Sequence, residues 1–433
     1  MDQNIKILVI TVPSWNSKVG ANSWATLLGK YPPENIASIY IRDELPDSKV
    51  CSKYFNISEN KIIKSIFHRS VKTGSLITSQ NVKAGEDRDL LVHNQRYVKM
   101  KKKRRYSMLL ARELIWKVGR WQTPELDLFL DSFKPDVILH SMDGYIHLNR
   151  IIEYAIKRTG AKAAGYIWDD NFTYKQSNKL GYKIYRFFQR RSLKRLAQNT
   201  QAFFAISDKT KQEADTFFGI NCRLLTKPLN SEPNVNYNVI NTPLKMIYTG
   251  NLYIGRDRSL AKISKALQKI NEEKTHIQLD VYTATHLQTE QKAAIENQWC
   301  VIHPPVPQSD VLRLQKEADI LLFLEDIDGP DAKVARLSFS TKTTDYLSAG
   351  KCIFAVGNPD TAPMDYFIKN NAAITASSEK EITDKLLAII EQPDLMITFA
   401  KNACECGLKN HNIAVIQKTF DETLNSIIDD RIE

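Results

Sequence analysis

Short runs rich in apolar and β-branched residues recur along the chain, and amphipathic stretches separate many of them. In the first half they fall at Lys6–Val12, Asn35–Ile41, Asp136–Ser141, Ala163–Trp168 and Ala202–Ser207. In the second half they fall at Leu244–Gly250, Ile277–Thr283, Asp319–Leu324, Cys352–Gly357 and Ala372–Ser377. Runs this short that are apolar almost throughout read as strands buried on both faces, which requires a parallel sheet covered by helices. After Gly250, the residues Leu260, Ile263, Leu267 and Ile270 share one helical face, as a helix packed on such a sheet would. Two alternating series of this kind predict an α/β protein with two Rossmann-like, doubly wound domains. The segment Thr226–Lys245 is rich in Pro and Asn and has no helical period, so it reads as the boundary. The expected domains are 1–235 and 236–433, with the final helix free to return to the first. The polar segment Ser70–Asp89 reads as a long loop, and no repeat of fixed period is visible.

The length of 433 residues agrees with two domains, because one core rarely serves more than roughly 250–300 residues. Hydrophobic content of 43% and charged content of 25% are ordinary for a globular protein. The six cysteines are irregularly spaced, and Cys404-Glu405-Cys406 lacks the second pair a zinc site needs. Free thiols in a reducing cytoplasm are the expectation. The apolar run near the N-terminus is too short for a signal-peptide core, and no apolar run is long enough to span a bilayer.

In open α/β sheets ligands sit beyond the carboxyl ends of the strands. The chemistry is therefore expected in the loops after strands, on both sides of a cleft between the domains. After the first strand, Gly20 precedes a helix, where a residue without a side chain lets backbone N–H groups approach an anion. It serves equally as a simple turn glycine. No G-x-G-x-x-G stretch is present, so a nicotinamide or flavin site is not supported. Gly250 ends a strand, and Arg256 and Arg258 follow it at a helix start. A cation there suits a phosphate; for Arg258 a surface role is preferred. In "STKTTDYLSAGKCIFAVG", Ser340 and Thr341 can cap a helix whose first turn carries Lys342, and Asp345 lies one turn on. A helix N-terminus disfavours a cation unless an anion joins it, and a carboxylate can accept two hydrogen bonds from a vicinal diol. A plain surface Lys–Asp pair remains the alternative.

The same segment resembles the donor site of GT-B glycosyltransferases, especially glycosyltransferase family 4 and its relatives. Gly250 with Arg256, "EADILLFL", and "PVPQSDVLRLQKEAD" read as a strand–helix unit extend the resemblance over Leu244–Gln392. It implies that Asp345 binds the nucleotide ribose, that Arg256 and Lys342 bind the donor diphosphate with Ser340, Thr341 and Gly250 beside them, and that Gly20 lies near that diphosphate. A second family acid would fall at Leu337, so the sugar-side contacts are open; Glu325 and Asp326 are unassigned acids nearby. In the first half, His140 and either Asp169 or Asp170 stand at strand ends. The resemblance implies that a histidine near His140 contacts the sugar, and His140 and Asp170 are the catalytic candidates there. It implies retention of configuration and metal-independent chemistry with no cofactor, the nucleotide sugar being a substrate.

A formal net charge of +11 asks where the cations sit. Arg96–Trp121 and Lys179–Gln198 mix them with apolar and aromatic residues, which suits an anionic bilayer surface. The expected partners are a nucleotide-sugar donor, a glycan or lipid-linked glycan acceptor and the inner face of the cytoplasmic membrane, without nucleic acid, in cell-surface polysaccharide assembly. Two rivals remain: a nucleotide-sugar epimerase on the same fold, and a non-catalytic basic binding module. Neither an RNA- nor a DNA-binding motif supports the latter.

Overall fold

A computed structural model describes residues 5–15, 23–77, 106–229, 231–235, 237 and 240–429. Gly20 and the basic run Lys101–Arg105 lie outside them. The chain forms two compact units: Met1–Ile206 with Lys211–Leu225 and Gln417–Glu433, and Ser207–Thr210 with Thr226–Ile416.

The first unit holds strands β1 (Ile7–Thr11), β2 (Ile36–Tyr40), β3 (Lys53–Ile57), β4 (Gly74–Ile77), β5 (Val137–Ser141), β6 (Lys162–Ile167), β7 (Ala202–Ala205) and β8 (Arg223–Leu224). They form one sheet in the order β4-β3-β2-β1-β5-β6-β7-β8. It is parallel except for β4, which runs antiparallel to β3. Every residue of β1, β2 and β5 is buried, as strands covered on both faces require. β4 corrects the expectation of a loop from Ser70: Gly74–Ile77 pairs with Tyr54–Ile57, and this edge strand is too short and polar to stand out.

The second unit holds β9 (Leu244–Thr249), β10 (Ile277–Tyr282), β11 (Cys300–His303), β12 (Ile320–Leu324), β13 (Cys352–Val356) and β14 (Ile374–Ala376). Their order is β11-β10-β9-β12-β13-β14, all parallel. The helix Arg256–Ile270 buries Leu260, Ile263 and Leu267 in the core with Met246, Leu279 and Leu322. Each such side chain contributes about 1.5–3 kcal/mol when fully buried. The strand ahead of the helix Gln308–Glu317 is Cys300–His303, upstream of the Pro305–Asp319 stretch expected to carry it. All six cysteines are free and buried. Among the described residues no helix is long and apolar enough to cross a membrane.

The pairing of β9 with β12 is short. Ile320 opposes Met246 and Leu321 opposes Ile247, and the register ends there, whereas β9 pairs with β10 along its whole length. The two strands part toward their carboxyl ends, where the order of the sheet reverses and a crevice opens. Their other ends are fastened. Asp319 donates its backbone N–H to Lys245 O (2.9 Å) and accepts the Lys245 N–H on Oδ2 (2.8 Å). The first sheet uses the same ring between β5 and β1: Asp136 N–H reaches Lys6 O at 2.8 Å, and Asp136 Oδ2 accepts the Lys6 N–H at 2.9 Å.

Asp319 is fully buried and also accepts from the Asn241 backbone and side chain. Asp319→Ala strands these donors. It should cost about 1–3 kcal/mol, read as a lower urea midpoint, and more than Asp136→Ala, whose carboxylate is half-exposed. An equal or smaller loss for Asp319→Ala would refute this account of the clamp.

Candidate functional site

Chemistry-bearing side chains converge where β9 and β12 part. β9 ends at Thr249, and Gly250 follows with φ +138°. A side chain at Gly250 would meet the flexible tip of Lys342; the backbone angle is what calls for glycine. Gly255 caps the next helix at φ +75° and delivers Arg256 as its first residue. Arg256 turns back over the end of β12. Its Nε donates to Leu324 O (3.0 Å) and its Nη2 to Glu325 Oε1 (2.9 Å).

Lys342 comes from the other side. It opens the short helix Lys342–Leu347, whose buried residues Thr343, Thr344, Tyr346 and Leu347 anchor it. Tyr346 Oη donates to Leu322 O on β12 (3.2 Å). The opposite face carries Lys342 and Asp345, both partly exposed. Lys342 Nζ lies over the Tyr248 ring, 4.1 Å from its centroid, and donates to Tyr248 Oη at 3.0 Å. Asp345 Oδ1 accepts from Lys227 Nζ at 2.7 Å. Ser340 Oγ accepts the Lys342 N–H at 3.4 Å. Thr341, at the helix start, makes no side-chain cap, which corrects the capping role expected of it.

The electrostatics of this cluster are strained. Burial, and then the like charge of Arg256, push the Lys342 amine down to about 7, against the opposing pull of Glu325 and Asp345. Burial raises the Glu325 carboxyl, and Arg256 and Lys342 oppose that rise. Glu325 Oε2 is buried and has no hydrogen-bond partner among the described residues. The two cations, Arg256 and Lys342, are only partly compensated by the one buried acid, so the place is suited to receive an anion.

Other residues fall elsewhere. Arg258 is exposed at the surface, as expected, and its Nη2 also pairs with Asp326 (2.7 Å) and Asp331 (2.8 Å). Asp326 also accepts the Asp331 and Ala332 N–H groups at 3.1 Å each, so it closes the loop after β12. The same loop holds an Asp-x-Asp spacing, Asp326-Ile327-Asp328. Both acids face cations, Asp328 pairing with Lys262 at 2.8 Å. Leu337 is fully buried.

In the first unit His140 is fully buried, its Nε2 is 3.1 Å from Thr200 Oγ1, and burial lowers its pKa to about 4. Asp170 is buried as well and accepts the Thr173 N–H (2.9 Å) and hydroxyl. The structure thus gives both residues internal partners and does not bring them together as a pair. The carboxylate after β5 at the reversal point of this sheet is Asp143, bound by Ser141 Oγ (2.6 Å) and Trp168 Nε1 (3.1 Å) and raised by burial. Its place just beyond a strand end was a usable signal. Tyr248 and Lys227 gave none, because each meets its partner only through the fold.

A sequence model described as glycosyl transferase-like matches residues 258–420. No curated protein matches the chain. Among solved structures, sucrose-phosphate synthase from Thermosynechococcus elongatus is similar with TM-score 0.61 and 10% identity, over 98% of this chain and 99% of that one. HepE of Anabaena in complex with UDP and glucose gives TM-score 0.61 and 10% identity, over 98% and 100%. A chain of the GtfA/B complex gives TM-score 0.51 and 10% identity over 70% of this chain, which spans 60% of that one. The fold is GT-B. Residues of the second unit match the glycosyl transferase-like model and the whole chain shares the GT-B fold; family 4 in particular is not singled out.

A lysine depressed to about 7 in the folded state binds fewer protons than its unfolded counterpart up to the ordinary lysine range. The contribution of this lysine to stability therefore rises with pH across that window. Lys342→Met should flatten the rise in urea midpoint between pH 7 and 9. A slope equal to wild type would exclude Lys342 as its source.

Proposed function

We propose that the protein transfers a sugar from a nucleotide-sugar donor to a glycan or lipid-linked glycan acceptor, with retention of configuration, in cell-surface polysaccharide assembly at the inner face of the cytoplasmic membrane. The observation that carries this reading is the meeting of Arg256 and Lys342 at the parted ends of β9 and β12, with Asp345 one turn beyond Lys342. Uridine nucleotides are the first donors to test, since HepE is described with UDP and glucose.

The chemistry follows from charge. The bond from the anomeric carbon to the diphosphate oxygen breaks, and negative charge grows on that oxygen. Arg256 and Lys342, fixed in a partly dry site, stabilise it more than water would. The acceptor hydroxyl forms the new bond to the anomeric carbon, and its proton passes to the leaving phosphate. Asp345 accepts from the ribose hydroxyls. These residues account for the donor without a metal ion or cofactor. Turnover should therefore persist in EDTA, and Arg256→Ala should lower kcat/KM by about 10²–10³. Activity that collapses in EDTA and returns with Mg²⁺, or an Arg256→Ala enzyme as fast as wild type, would defeat the assignment.

Membrane association is supported by the helix Leu180–Ala197, which contains no acidic residue. Leu180, Ile184, Phe187 and Phe188 are exposed on it at helical spacing, and Lys179, Lys183, Arg191 and Lys194 are exposed around them. The aromatics expected at the surface of Arg96–Trp121 are placed otherwise. Trp116 is fully buried and stacks on His147 at 4.5 Å, while Met108 and Leu114 are exposed. The protein should sediment with anionic vesicles at low salt, less with neutral ones, and less again as salt shortens the Debye length to about 8 Å. Replacing Phe187 and Phe188 by Ser should weaken sedimentation. Unchanged sedimentation, or equal retention on oligonucleotides, would favour a solvated basic surface or a nucleic-acid module.

A further inference from the structure

The main run of the second unit begins at Thr226, and its first residues are fastened along the end of the helix Asp394–Asn410. Thr226 Oγ1 donates to Asn410 O (3.0 Å), and the Leu229 N–H to His411 O (3.0 Å). Between them, Lys227 O lies 2.8 Å from His411 Nδ1, and His411 Nε2 lies 2.8 Å from Tyr366 Oη. A carbonyl can only accept, so Nδ1 carries the proton and Nε2 accepts from the tyrosine. His411 is fully buried, and burial lowers its pKa to about 4, so this neutral tautomer persists. The Lys227 backbone is thus held from both sides, and its ammonium is delivered to Asp345 Oδ1 at 2.7 Å. Both side chains are largely covered, at 15% and 22% exposure.

We propose that Lys227 is a positioning residue of the donor site: it fixes the Asp345 carboxylate in the orientation that accepts the ribose hydroxyls of a nucleoside diphosphate. This rests on the donor reading given above. An aspartate on a six-residue helix can turn about its side-chain bonds, and a diol is recognised only by a carboxylate held still. The clamp on one oxygen supplies that hold. The hold comes from the segment that links the two units and not from the helix bearing Asp345, so it is absent from the local motif.

The test uses the full chain and calorimetric titration with UDP, GDP and ADP beside their 2′-deoxy forms. Wild type should favour the ribo form of its preferred nucleotide by roughly tenfold, the worth of a charged hydrogen bond. Asp345→Ala should abolish that preference. Lys227→Met should bring the ratio close to one and raise the donor KM while kcat changes little. Lys227→Arg should restore part of the preference, and equal thermal midpoints would show that both variants fold. A Lys227→Met protein that keeps the wild-type ratio while Asp345→Ala loses it overturns this inference alone. A wild type that binds none of the nucleotides, or an Asp345→Ala protein that keeps the ratio, overturns the donor reading and this inference with it.

Discussion

Two cations are brought to one half-buried place in the second unit, and much of its architecture answers to that. Arg256 arrives on a helix that must begin within a few residues of β9. Lys342 arrives on a short helix packed against β12. Burial first, and then the like charge of Arg256, lower the proton affinity of the lysine. Glu325 and the face of Tyr248 offset the repulsion in part. Under the donor reading proposed above, an incoming dianion would complete the compensation.

The glycines follow from the same demand. Gly250 lies beside the lysine tip, and a side chain at Gly255 or Gly329 would meet Asp326 and Arg258, which hold the neighbouring loop shut. Arg258 stands two residues from Arg256 yet does different work, because the helix turns it toward the loop acids and away from the strand ends.

Most of the second unit was legible in the chain. Its β-branched and apolar runs, the face Leu260, Ile263 and Leu267, and the sequence around Lys342 and Asp345 each carried a local signature. What escaped was non-local. Lys227 and Asp345 lie far apart in sequence, and Tyr248 is only an inward residue of a strand until Lys342 is seen above it. The four-residue strand Cys300–His303 was lost because so short a run hardly differs from a loop. In the first unit the strand-end rule named ends of strands but not which way each side chain there points. His140 is still within β5 and turned into the core, while Asp143 lies beyond it. A sequence shows which residues neighbour a strand end, but the direction in which each points depends on the pleat.

The paired aspartate rings, Asp319 with Lys245 and Asp136 with Lys6, have a mechanical meaning. Each grips two adjacent strands at the foot, on the side away from the crevice. In the second sheet the strands then spread like the blades of a pair of shears around a rivet. Loops at the open end can lengthen, shift or exchange residues without prying the sheet apart, because the rivet carries the load. That two halves with no visible sequence repeat place the same rivet at the same node shows where such a fold must be stiff and where it is at liberty to vary.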